Sequence, residues 1–241
     1  MIQLFSVNEL KYLNERFLAR HPLELLEWIN ASFGSGEVVM ATGFGAEGVV
    51  LIDMLVRVNK KFPIFYLDTE VLFQETYQLR DQLEERYGIR FVQQTPAWSL
   101  AEQSHHEGDR LWERNPDQCC HLRKVEPLRT ALRDRSGWIT AIRRGQSPAR
   151  AQAQAIEWDV RFGLYKFNPL AAWTKEEVWG HIVLYDLPYN PLYDRGYASI
   201  GCVHCTTPVA PGEEERAGRW RGFLKTECGL HKYAFEPKVA A

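Results

Sequence analysis

Twice in the first ninety residues a short apolar run ends in a turn and gives way to a helical pattern, and that alternation admits few folds. Residues 37–42 (Glu-Val-Val-Met-Ala-Thr) read as a buried strand. Gly43-Phe44-Gly45-Ala46-Glu47-Gly48 forms the turn, and a helix follows through about Val58. A second strand, Phe62 to Leu67, ends at Asp68-Thr69. The next helix, about 71–87, stops at Gly88, and residues 89–94 are a third strand. Trp138 to Ile142 reads as a further strand. This repetition predicts an α/β fold, a mostly parallel sheet flanked by helices. Residues 6–30 carry Leu10, Leu13, Phe17, Leu18, Leu25, Leu26 and Ile29 at near-helical spacing and read as helix. Residues 174–186 read as another, with Thr174 and Glu177 placed for a capping box. From about 188 the chain turns to Pro, Gly, Tyr and Arg, and regular structure should thin out. There is no internal repeat or low-complexity tract.

The chain has 241 residues, 45% hydrophobic, with a formal net charge of −2. That balance gives no bias toward nucleic acid or an anionic membrane, so any anionic ligand must be held by a local cluster of cations. No apolar run approaches the roughly 20 residues of a membrane span. The N-terminus has neither the basic region nor the apolar stretch of a signal peptide. A cytoplasmic setting follows as the expectation, in which thiols stay reduced and serve metals or catalysis.

The five cysteines divide into four plus one. Cys119 and Cys120 are adjacent, and Cys202 and Cys205 form a C-x-x-C. Adjacent side chains diverge and ill suit one tetrahedral zinc, whereas a multi-iron cluster offers separate corners. Spacing alone ranks iron–sulfur before zinc, and zinc before a redox disulfide; unligated buried thiols remain an alternative. Cys228 stands apart in Lys225-Thr226-Glu227-Cys228-Gly229-Leu230-His231 as a candidate nucleophile. Lys225 and His231 would favour its thiolate, while Glu227 opposes it.

Three further segments suit an anion. The turn from Thr42 to Gly48, with Gly45 and Glu47, lies between strand and helix, where backbone N–H groups can hold an oxyanion; an ordinary βα turn reads the same. Asp68-Thr69 lies at a strand's carboxyl end, where open α/β sheets bind ligands, though Asp-Thr alone reads as a helix N-cap. Arg143, Arg144, Gln146 and Arg150 come directly off a strand, and Arg216 and Arg219 precede Cys228 within a charged tail. A solvated surface is the plain alternative for both arginine groups.

With these motifs the chain resembles assimilatory adenylyl-sulfate reductases, the iron–sulfur branch of the phosphoadenylyl-sulfate reductase family, over about residues 35–231. The specific parts are Cys119-Cys120 with Cys202-x-x-Cys205, and Lys-Thr-Glu-Cys228-Gly-Leu-His. The resemblance implies an adenine-nucleotide α-hydrolase-like fold with a modified pyrophosphatase loop. It implies one 4Fe–4S cluster on Cys119, Cys120, Cys202 and Cys205. Cys228 would attack the sulfur of adenylyl sulfate, leave an S-sulfocysteine and be cleared by thioredoxin or a glutaredoxin-like dithiol. Lys124 would lie between cluster and ligand. Arg216, Arg219 and His231 would hold the phosphosulfate, and Arg143, Arg144 and Gln146 match an arginine-rich family segment. Thr42 to Glu47 match the phosphate loop, and Leu67 to Thr69 the nucleoside-binding strand end. A homo-oligomer is implied, with no nucleic-acid or membrane partner. The expected layout is a nucleotide- and cluster-binding domain over 1–210 and a mobile C-terminal segment over 211–241. Gly43, Glu70, Gly145 and Ala149 depart from the family pattern. Reduction of phosphoadenylyl sulfate, or of both nucleotides, is the near alternative. An ATP-dependent tRNA thiolase and a cluster-bearing redox sensor are remoter ones.

Overall fold

The computed structural model describes residues 5–231. Residues 232–241 of the expected C-terminal segment lie outside the described residues.

Six strands, β1 (Val38–Thr42), β2 (Ile64–Leu67), β3 (Val92–Gln94), β4 (Gly137–Ile139), β5 (Ile156–Asp159) and β6 (Leu164–Phe167), form one sheet in the order β3-β2-β1-β4-β6-β5. Every pair is parallel except β5 with β6 at one edge, so the expected α/β architecture holds. The helices are α1 (Val7–Leu18), α2 (Pro22–Ser32), α3 (Ala46–Val58), α4 (Gln74–Tyr87), α5 (Leu100–Glu107), α6 (Leu111–Arg114), α7 (Pro116–Cys120), α8 (Glu126–Ala131) and α9 (Lys175–Leu184).

Both faces of the sheet are covered, which is why β1 reads as an unbroken apolar run. Val38 and Met40 point into a core with Leu25, Leu26, Ile29, Val50 and Met54. Val39, one residue out of phase, joins Phe65, Leu128, Leu132 and Trp138 on the opposite face. From β1 the chain steps outward to β2 and β3, then returns to place β4 on the other side of β1. The carboxyl ends of β1 and β4 therefore flank a topological switch point, where open parallel sheets bind their ligands.

Several boundaries differ from the sequence reading. Residues 6–30 are two helices, because Pro22 has no N–H to continue α1 and instead opens α2, where the His21 ring accepts from the Leu23 N–H (3.3 Å). The strand read over 138–142 stops at Ile139. The hairpin of β5 and β6 was not anticipated. Glu157 and Lys166 break its apolar pattern, yet the two meet as an ion pair at 3.1 Å within the fold. The capping box of Thr174 and Glu177 is present as expected, as is the left-handed Gly88 that ends α4 (φ 58°). Among the described residues no helix is long and apolar enough to cross a membrane.

Candidate active site

A cavity of about 240 Å³ opens at the switch point. Its floor is made by strand ends: Thr42 closing β1, Thr69 beyond β2, Thr140 after β4. In the loop after β1, Phe44 takes a left-handed backbone (φ 56°) and donates its N–H to Thr42 Oγ1 at 3.1 Å. Gly45 caps α3 without a side chain, and the Ala46 N–H donates to the Tyr193 hydroxyl (2.9 Å). The first turn of α3 thus faces the cavity with its positive dipole end.

The opposite wall is cationic. Lys124, Arg150, Arg216 and Arg219 line the cavity together with Cys228 and His231. Crowding shows in the titration of these groups. Arg216 is pushed down to about 10 by burial and by the neighbouring Arg150 charge. His231 lies well below the ordinary histidine range because it is buried and faces Arg150, Lys166, Arg216 and Arg161, so it is neutral at pH 7. Its ring stacks on Trp138 (centroids 5.6 Å apart, 10° between planes), and its Nδ1 finds no hydrogen-bond partner among the described residues. A wall of this kind is poised for an anion that supplies the missing negative charge.

The segment bearing Cys228 is docked by its flanking residues. Glu227 accepts two bonds from Arg150 (both 2.8 Å), one from Arg216 (3.1 Å) and one from the Ser147 hydroxyl (3.3 Å). Arg161 donates to the Gly229 and Leu230 carbonyls. Leu230 packs against the cluster of Leu128 and Trp138. Cys228, between these anchors, is half-buried at the cavity.

The other four cysteines line a second, smaller cavity with Val71, Trp112, Arg123, Lys124 and His204. Cys119 and Cys120 end α7, which passes into a π-helical turn over His121–Val125. The wider turn re-aims its side chains, and both Arg123 and Lys124 are buried. Cys202 caps a 3-10 turn, Val203–Cys205, that ends in the second cysteine. Burial pushes the Cys119 thiol up to about 12, and the three neighbouring thiols add to the rise. Burial likewise pushes Cys205 up to about 11. Burial opposes ionisation of Cys202 as well, but Lys124, the Thr69 hydroxyl and Arg219 outweigh it and lower its pKa. Burial works against the Lys124 charge too; the thiols of Cys202, Cys120 and Cys228 overcome it and hold the proton. All five cysteines are free thiols. Among the described residues no group of three or more His, Cys, Asp or Glu is placed to hold a single metal ion.

Lys124 belongs to the walls of both cavities, and Thr69 ties them further, its hydroxyl 3.3 Å from Cys202 Sγ. Arg123 braces the same junction, donating to the Thr69 carbonyl (2.7 Å) and pairing with Glu70 (2.6 Å). Of the candidate residues, Thr42, Gly45, Glu47, Thr69, Lys124, Gln146, Arg216, Arg219, Cys228 and His231 come together around the first cavity. Asp68, Arg143 and Arg144 do not line it. Asp68 accepts from Tyr77 (2.7 Å) and Gln93 (2.7 Å) behind the strand ends. Arg143 pairs with Glu47 and Glu215, and Arg144 donates to the Ala153 carbonyl (2.7 Å). Arg150, the last arginine of the anion-suited segment, lines the cavity as well, and so do Tyr193 and Ser199, which arrive from a stretch with no motif.

Residues 37–208 match the model of the phosphoadenosine phosphosulfate reductase domain. The chain belongs to the phosphoadenosine phosphosulfate reductase family. It is 46% identical to the adenosine 5'-phosphosulfate reductase of Salinibacter ruber, over 94% of this chain and 90% of that protein. It is 50% identical to a phosphoadenosine 5'-phosphosulfate reductase of Gloeobacter violaceus, over 81% and 82% of the two chains. The crystal structure of the phosphoadenylyl-sulfate reductase of Candida auris matches with a TM-score of 0.75 and 30% identity, covering 86% of this chain and all of that one.

Two outcomes follow from the geometry of this family member. Glycine to alanine inside a helix ordinarily stabilises by up to about 1 kcal/mol. At Gly48, however, a Cβ would sit 2.8 Å from Thr42 Oγ1. Gly48→Ala should therefore lower the melting temperature and weaken nucleotide binding in a calorimetric titration, since Thr42 holds the loop through Phe44. The second outcome concerns pH. Burial raises the Glu227 pKa, but its bonds to Arg150 and the charges of Arg150 and Arg216 outweigh that, so its folded value is depressed. Its contribution is present above the unfolded value, near 4.3, and is lost as pH falls through the folded one. Glu227→Gln should cost about 3–5 kcal/mol at pH 7. The gap between the two melting temperatures should close as pH drops below about 4.

Proposed function

We propose that the chain is an assimilatory adenylyl-sulfate reductase, which converts adenylyl sulfate to sulfite and AMP at the expense of a dithiol. The observation that carries this reading is the meeting of Cys228 with Lys124, Arg150, Arg216 and Arg219 around one cavity at the switch point. The sulfur of a sulfate ester is electrophilic but shielded by anionic oxygens. A thiolate reaches it only where cations neutralise that charge. The Cys228 thiolate attacks this sulfur; an S–S bond forms, the S–O bond to the phosphate breaks, and AMP leaves with the bonding pair. The α3 N-terminus and the loop from Thr42 to Glu47 would hold the nucleotide phosphate. Neutral His231, at the cavity wall, would hydrogen-bond the phosphosulfate. Thioredoxin or a glutaredoxin-like dithiol then attacks Cys228 Sγ, and sulfite departs with the S–S pair. The donor's second thiol resolves the mixed disulfide. The donor is oxidised by two electrons and the sulfur reduced by two.

The thiol nest supports a 4Fe–4S cluster held by Cys119, Cys120, Cys202 and Cys205. Four free thiols share one cavity, two of them adjacent, and burial holds three of them above their ordinary pKa. Bound there, the cluster would supply structural order and an electrostatic influence on the substrate cavity. Lys124, which lines both cavities, and Thr69, whose hydroxyl meets Cys202 Sγ, are the residues of this chain that would transmit it. The reading includes a cytoplasmic setting, a homo-oligomeric assembly and, for the described part of the C-terminal segment through residue 231, movement between substrate and dithiol partner.

The test is sulfite release with thioredoxin from adenylyl sulfate and from phosphoadenylyl sulfate, alongside iron and sulfide analysis. A higher kcat/KM for the unphosphorylated nucleotide is expected. Preference for the phosphorylated one would move the assignment to the activity named for the Gloeobacter relative.

A further inference from the structure

The thiol cavity has a lid that nothing in the reaction uses. Trp112, on α6, stacks on His204, which stands between the two cysteines of the C-x-x-C turn (centroids 4.1 Å apart, 7° between planes). Both residues line the thiol cavity. The two partners belong to the two chain segments that bear the cysteines: α6 leads directly into α7 with Cys119 and Cys120, and His204 rides on the turn with Cys202 and Cys205. The short helix α6 that carries Trp112 is tied to the turn before it, because Arg114 donates to the Asp109 (2.9 Å) and Glu107 (2.5 Å) carbonyls. Cys205, next to His204 in the chain, is the least buried of the four thiols.

We infer that the Trp112–His204 stack is a clasp that closes the thiol cavity, holding the two cysteine-bearing segments together and keeping water, oxygen and soluble thiol reagents from the sulfur atoms. The inference rests on the cluster reading only for what the clasp protects; the closure belongs to the side chains themselves. Flat aromatic surfaces stacked this closely exclude water from the contact. They must separate before either segment can swing away. If opening limits access, removing the stack raises the open population by the strength of one aromatic pair, about fivefold.

Two measurements test this. In the first, anaerobically reconstituted wild type, Trp112→Ala, His204→Ala and Trp112→Phe are exposed to air while the visible absorbance is followed. The alanine variants should bleach about fivefold faster, and Trp112→Phe, which keeps a ring over His204, close to the wild-type rate. In the second, metal-free protein is pulsed with iodoacetamide under conditions where circular dichroism shows each variant folded. Labelling of Cys205 and Cys119 is then read by peptide mass, with Cys228 as internal reference. Faster labelling at the nest and an unchanged rate at Cys228 are expected in the alanine variants. Equal nest labelling in wild type and both alanine variants would overturn the clasp, whatever the iron content. Wild type that binds no iron on reconstitution, yet shows the labelling difference, would remove the cluster reading and leave the clasp standing.

Discussion

Cys228→Ser is expected to abolish sulfite formation, by roughly four orders of magnitude or more, while leaving the fold and the thiol nest unchanged. The chemistry needs a thiolate, and a serine hydroxyl is far too weak an acid to replace it at pH 7. The structure separates this residue from the other four cysteines. It lines the larger cavity with the arginines, whereas Cys119, Cys120, Cys202 and Cys205 line the smaller one. The anchors of the segment, Glu227 and Leu230, are untouched by the substitution. Intact-protein mass after anaerobic incubation with adenylyl sulfate and no reductant gives the sharpest reading. Wild type should gain one sulfo group that thioredoxin removes, and the variant none, with visible absorbance alike in both. Loss of that absorbance in the variant would mean that Cys228 belongs to the cluster set. If neither protein gains mass while iron and sulfide are full, the thiol mechanism or the nucleotide is wrong.

That separation of five cysteines into four and one was legible in the sequence because spacing alone sets the lone thiol apart. The sheet was legible for a related reason: β1 and β2 are buried on both faces and therefore appear as unbroken apolar runs bounded by turns. What stayed hidden depends on contacts between distant segments. Glu157 and Lys166 look like solvated charges until the hairpin brings them together. The docking of Glu227 on Arg150 joins residues 77 apart, and no local pattern marks it. The π-helical turn after Cys120 carries ordinary helix-forming residues; its wider register is visible only in three dimensions. Arg143 and Arg144 illustrate the converse. Their position directly after a strand marks them as ligand residues, yet carboxylates and carbonyls of the chain engage them beside the cavity, and Gln146 and Arg150 of the same segment line it instead.

The second large effect is expected at Cys202, where Cys202→Ser should empty the nest of iron and sulfide and lower stability together. Serine is close in size, so packing loss alone predicts little change. The consequence is large because of what Cys202 joins. Its carbonyl accepts from the Thr206 hydroxyl (2.8 Å), its backbone bridges to Leu72, and its sulfur lies against Thr69 in the nucleotide cavity. Without a metal centre to balance them, Lys124 and the remaining buried thiols are left as poorly matched charges and dipoles in a dry pocket. A loss of about 3 kcal/mol would lower the melting temperature by about 6–12 °C in a chain of this size. Stripping iron with a chelator separates the causes. It should bring wild type down to the variant's melting temperature and leave the variant where it is. AMP affinity should weaken in both, through Thr69. A Cys202→Ser protein with full iron and sulfide would remove this residue from the ligand set. A variant that loses the metal but melts with wild type would show that the nest holds its shape without a cluster.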